Sequence, residues 1–245
     1  MDKTFLYPRL FRDKRQFRLF LLLVLATGLD AMLVLARFML NQTRVNSSGA
    51  FDWPEIQGIL GLAWGFLAWN LFLAWIPYLA ALRFERLQAT GAGRLGLLAL
   101  FAVWLAFLPN APYIITDFIH LDHRPPVPVW YDMVMLFAFA CTGMALGLFS
   151  LYEIQRGLCR QFSGKLTHLI IFGAAGLAGF GVWLGRFQRW NSWDILTNPL
   201  ALASDITQTL MIRHELLKAM GISGLIGGML LLGYAMLSTS LSDEF

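Results

Sequence analysis

The sequence predicts an all-α, polytopic membrane bundle of about six transmembrane helices, with both termini in the cytoplasm. Three observations carry that reading. Apolar residues make up 58% of the 245-residue chain and charged residues only 14%, whereas a soluble domain carries roughly 25% charged residues. Such an excess of apolar surface has to face lipid. Six separate runs are also long and apolar enough to cross a bilayer. Finally, lysine and arginine alternate between rich and poor from loop to loop.

A spanning helix needs about 20 mostly apolar residues. The runs at about 19–40, 58–82, 95–116, 131–152, 167–185 and 221–240 meet that length. The second contains Asn70 and Pro77, the third carries Pro109 and Pro112 in its last third, and the fifth is rich in glycine. Residues 200–212 are apolar but too short to span, which suits a segment lying along the interface or re-entering. The first run is longer than the apolar core of a cleavable signal peptide, so it reads as a retained helix.

Charge sets the orientation. The N-terminal flank, residues 83–94 and residues 153–166 hold twelve Lys and Arg, six of them within the first 18 residues. Residues 37–57 and 117–130 hold three, Arg37, Arg44 and Arg124. The excess of basic residues belongs on the cytoplasmic side. The basic leader adjoins an apolar run, so it reads as an orienting flank, and no nucleic-acid partner is expected. Residues 186–220 break the pattern with Arg186, Arg189, Arg213 and Lys218 on the outer side. The organisation expected is a single membrane domain over 1–245: a basic flank at 1–18, the bundle at 19–240 and a short tail at 241–245. Gly61/Gly65, Gly143/Gly147 and Gly224/Gly228 have the spacing that lets helix backbones approach closely in lipid. The two cysteines, Cys141 and Cys159, imply neither a disulfide framework nor a thiolate metal site. The sequons at Asn41 and Asn46 are short matches and carry no weight.

Chemistry concentrates in residues 108–123. Pro109 and Pro112 each remove a backbone donor, so a kink or an unwound turn is expected at the outer end of the third span. Broken backbone at membrane depth is tolerated where it is buried or lines a wet cavity. Asn110 beside the break can hydrogen-bond freed backbone or a ligand. Asp117 and His120 lie at i, i+3 and share a helical face. With His123 they form a weak candidate metal set, or with Asp132 a set of candidate catalytic acids and bases. An Asp–His pair near the membrane boundary can also exchange protons near neutral pH. Asp132 opens the fourth span, where a negative charge suits the helix N-terminus.

The second cluster is Gly185–Asp194. Arg186, Arg189, Trp190 and Trp193 fall on one face if the helix continues, with Asn191 and Asp194 beside them. Tryptophan suits the headgroup layer, and the arginine fork suits phosphate or carboxylate. Two uses fit: ion pairs to Asp117 and Asp132 across the bundle, or capture of an anionic headgroup. His168 and His214 are isolated and read as loop-end residues.

The run Leu108-Pro109-Asn110-Ala111-Pro112-Tyr113-Ile114-Ile115-Thr116-Asp117-Phe118-Ile119-His120-Leu121, then Trp130-Tyr131-Asp132, then Gly185-Arg186-Phe187-Gln188-Arg189-Trp190-Asn191-Ser192-Trp193-Asp194, resembles a bacterial integral membrane family. That family is designated domain of unknown function thirteen sixty-one. The resemblance is densest over about residues 95–215. It implies a multi-pass protein of the bacterial inner membrane and brings no activity, substrate, cofactor or catalytic residue with it.

Three readings of the outer polar pocket therefore stand on the residues alone. In the first, Asn110, Arg186, Arg189, Trp190, Asn191, Trp193 and Asp194 bind an anionic lipid or lipid-linked phosphate. In the second, the protein is a transporter with Asp117 as its coupling group. In the third, it is a non-catalytic membrane subunit that binds a protein partner or a second copy of itself. The substrate, any cofactor and any metal stay undefined by the sequence.

Overall fold

The computed structural model describes residues 11–48, 64–91, 93–122 and 127–242, with backbone alone over 41–48 and at 242. The described residues are helical almost throughout. The helices are α1 (Lys14–Ser48), α2 (Gly65–Ala89), α3 (Arg94–Phe107), α4 (Asn110–Tyr113), a 3-10 helix (Ile114–His120), α5 (Val129–Leu158), α6 (Gly164–Phe187), α7 (Asp194–Thr197), α8 (Pro199–Met211) and α9 (Arg213–Ser242). Six stretches are long and apolar enough to cross a membrane: Lys14–Leu40, Gly65–Ala89, Arg94–His120, Val129–Leu158, Gly164–Phe187 and Arg213–Leu241. The third is α3, α4 and the 3-10 helix in one path. Leu95, Leu98, Leu169, Leu225 and Met236 are among the many large apolar side chains left exposed, as lipid contact requires.

Two partnerships hold the bundle. α2 packs on α5, and α6 packs on α9; α3 lies against α2, and α1 against α5. The α2–α5 half buries Leu67, Leu71, Tyr78, Met135, Leu136 and Phe139. Close approach depends on small residues. A side chain at Gly143 would lie 2.7 Å from the carbonyl oxygen of Ala111, and one at Gly181 would overlap Pro109. Those two glycines seat the proline segment between α5 and α6. Gly227 meets Ala175 where α9 crosses α6, whereas Gly224 and Gly228 face open space. The four-residue glycine spacing of α9 therefore does not mark its buried face.

The prolines tighten the third span rather than breaking it. Pro109 keeps helical torsions, φ −57° and ψ −29°. The Leu108 amide still donates to the Trp104 carbonyl at 2.8 Å, and the Tyr113 amide donates to the Pro109 carbonyl at 3.1 Å. The chain then winds on as 3-10 helix to His120. Residues 200–212 fall within α8 and the turn after it, a mostly exposed helix that is not among the spanning ones. The sixth span begins at Arg213, earlier than the apolar run alone indicates, because Arg213–Lys218 forms its first turns.

Candidate functional site

The site is at the end of the bundle opposite the start of α1, where the 3-10 helix faces the end of α6. Arg186, in the last turn of α6, organises it. Its Nη2 donates to Asp117 Oδ1 in an ion pair. Its Nε donates to Thr116 Oγ1 at 2.7 Å, its Nη1 donates to His120 Nε2 at 3.2 Å, and its guanidinium carbon lies 4.3 Å from the centre of the Tyr113 ring. Asp117 is 1% exposed, and its other oxygen accepts from Asn70 Nδ2 of α2 at 2.9 Å. The 3-10 geometry matters here. Tighter winding puts Tyr113, Thr116, Asp117 and His120 within reach of one planar cation.

Asn110 repairs the proline step. Its Nδ2 donates to the Phe107 carbonyl at 3.0 Å and to Ser192 Oγ at 2.9 Å. It thus ties the α3–α4 junction to the segment after α6. That segment does not continue the helix. α6 stops at Phe187, and Arg189 adopts the left-handed backbone at φ 62°. A non-glycine residue there is uncommon. The chain turns off, and the Trp190 amide donates back to the Leu184 carbonyl at 3.2 Å. The single helical face expected for Arg186, Arg189, Trp190 and Trp193 is therefore absent. Arg186 points into the bundle and Arg189 is exposed on the turn.

Past the turn, Asn191 donates to Asp194 Oδ2 through its backbone amide at 2.8 Å, and Thr197 Oγ1 donates to Asp194 Oδ1 at 3.1 Å. These bonds, led by the Asn191 amide, hold the Asp194 carboxyl below the usual carboxylate range. Trp190 Nε1 donates to Asp205 Oδ2 on α8 at 2.9 Å, and the Trp193 ring sits 6.4 Å from Trp69. The segment therefore closes a cavity of about 560 Å³ beside the Arg186 cluster. Its walls are apolar, with Leu73, Leu105, Leu177 and Phe180 among them; Asn70, Asn110, Tyr113, Asn191 and Ser192 supply its polar end. It opens sideways toward lipid past Ala102 and Leu177, which are exposed.

The other candidate residues go elsewhere. The carboxylate of Asp132 is taken by Arg37 of α1, with bonds of 2.7 and 3.3 Å, and both residues are buried. So neither Arg186 nor Arg189 is its ion-pair partner, and Arg37 lies within the first candidate span, as the run at 19–40 has it, and not in the 37–57 loop with which the charge count grouped it. Between Asp117 and His120 stands the Arg186 guanidinium, where a metal would have to sit. Among the described residues no group of three or more His, Cys, Asp and Glu gathers. His123, the third member of the candidate metal set, lies outside the described residues, as do Arg124 and the side chains of Asn41 and Asn46. Sequence reasoning missed Thr116, Tyr113 and Ser192 as partners and gave Asn70 no role. A polar side chain inside an apolar run is the signal that marks Asn70, since such residues in a span commonly face a partner.

Residues 69–231 match the family described as Protein of unknown function (DUF1361). The chain belongs to that family. The match begins in α2 and ends in α9, so it takes in every residue of the Arg186 cluster and the cavity wall, and leaves α1 with Arg37 outside. Comparison with curated proteins and with solved structures found no match. Membership brings a membrane protein of unknown activity, and the site has to be read from its own geometry.

Proposed function

We propose that the far-end cavity binds an amphipathic lipid carrying a phosphate, with the chain on the apolar wall and the polar head toward Asn110, Asn191 and Ser192. The observation that carries the reading is the cavity's own division: apolar walls open to lipid on one side, hydrogen-bonding side chains gathered at one end. A volume of about 560 Å³ lies in the range of small-molecule sites, roughly 300–1,000 Å³. In this account Arg189 meets the phosphate, because it is the exposed guanidinium on the turn beside Trp190. Arg186 plays a different part. It stands behind Tyr113 and Asn70 and fixes the wall. Native mass spectrometry of gently solubilised protein tests the proposal. The wild type is expected to retain one discrete lipid, and Ala106→Trp, which fills the cavity, is expected to lose it. Equal retention in the filled variant would overturn the reading.

One observation favours a second reading, a non-catalytic subunit in which the cluster is a structural tie. Nε, Nη1 and Nη2 of Arg186 are all engaged within the protein. Breaking a buried ion pair by removing one partner typically costs about 3–5 kcal/mol. Asp117→Ala and Arg186→Ala should each destabilise the solubilised protein on that scale, and the double variant should lose well under the sum. Such a cycle, combined with no retained lipid in the wild type, would leave the tie as the cluster's whole role. Strict additivity would argue against the pair.

A further inference from the structure

A second cavity, of about 750 Å³, sits at the other end of the bundle, where α2 and α5 end and α3 and α6 begin. Both cavities are lined in part by α3, one through Phe101 and the other through Ala102. The second is also divided. Leu98, Phe101 and Ile170 make apolar wall, and Gln88, Arg94 and Gln161 make a polar rim. Leu98 is 65% exposed, so the wall is open to lipid.

The rim is positive. Arg94 is exposed, and among the described residues it forms no ion pair. It opens α3, whose first turn holds no acidic residue and whose N-cap, Gly93, supplies no side-chain cap. The first amides of a helix carry partial positive charge and lack intrahelical acceptors.

We propose that this cavity is a site for an anionic phospholipid drawn from the leaflet at the basic end of the bundle. The acyl chain lies on Leu98, Phe101 and Ile170. The phosphate meets Arg94 and the opening amides of α3. Charge complementarity selects this occupant: the rim offers a guanidinium and amide donors, and no carboxylate lines it. The inference does not depend on the far-end cavity.

The test is native mass spectrometry of the full chain titrated with phosphatidylglycerol and, separately, phosphatidylcholine. The wild type is expected to hold phosphatidylglycerol about tenfold more tightly, a difference of about 1.4 kcal/mol. Arg94→Ala should erase that preference, and Leu98→Trp should expel the lipid while the melting temperature stays near wild type. Leu225→Trp, on an exposed face of α9 that lines neither cavity, should change neither. Equal binding of the two lipids by the wild type, or a preference that survives Arg94→Ala, would mean annular lipid only and would overturn the site. Loss of the preference in Ala106→Trp but not in Leu98→Trp would move the anionic site to the far-end cavity and likewise overturn it.

Discussion

Arg186 and Arg189 are three residues apart in one basic, aromatic run, and the backbone gives them opposite fates. The last helical turn points Arg186 onto Asp117, while the left-handed conformation of Arg189 ends the helix and leaves its side chain exposed. The residue types were legible: arginine against aspartate across the bundle follows from two buried charges needing each other. The turn was not, because no glycine or proline announces it between Gly185 and Asn198. Asp194 shows what holds that turn. Its carboxylate accepts from the Asn191 amide and the Thr197 hydroxyl. A carboxyl held low in the folded protein adds stability above its unfolded value of about 3.9, and that stability is lost as pH falls through the folded value. The Asn191 and Thr197 amide resonances should therefore stay fixed at neutral pH and shift only below about 3.9. In Asp194→Asn they should be displaced at every pH. A midpoint above the ordinary carboxylate value would contradict the assignment.

At the scale of the element, α1 is the instructive case. The buried positions of α1, Gln16, Leu23, Asp30 and Arg37, recur every seven residues, the period of a seam between two packed helices. Three of the four are polar. Arg37 pairs with Asp132 of α5 at 2.7 Å, whereas neither carboxylate oxygen of Asp30 has a hydrogen-bond partner among the described residues. A polar pair bonded across two helices is a recognised means of association in lipid, and Arg37 with Asp132 sets the register of α1 along α5. The first span was legible from its apolar run, but this seam was not, because Arg37 looks like a loop residue when only composition is counted. Asp30 is 1% exposed and, among the described residues, forms no ion pair. A buried polar group left without a hydrogen bond costs about 1–3 kcal/mol, a cost that an apolar side chain of similar size does not carry. Asp30→Leu is therefore expected to raise the stability of the solubilised protein by about 1 kcal/mol, read as a higher thermal midpoint. A drop of that size would show that Asp30 has a partner on α5 worth more than its burial costs.

For the whole molecule, apolar run length found six spans, because the demand of the bilayer on length is nearly independent of packing; the second helix runs on to Ala89, through residues that the charge count took as loop, and positions 58–63 of its apolar run lie outside the described residues. What run length could not supply is where the helices leave space. α2 and α5 pack tightly, as do α6 and α9, while α3 leans on α2. The space left beside α3 holds both cavities. Their existence depends on which faces meet, and that is settled by Gly143, Gly181 and the proline segment they seat, not by the hydropathy of any one helix. The central claim is that the far-end cavity is a lipid site. Photocrosslinking in native membrane tests it most directly. A benzophenone amino acid placed at Leu105, in the cavity wall, is compared with one at Leu95, which is 82% exposed. The account predicts that position 105 captures one lipid species, discrete in mass, while position 95 captures the bulk lipid mixture. The same mixture at both positions would contradict it.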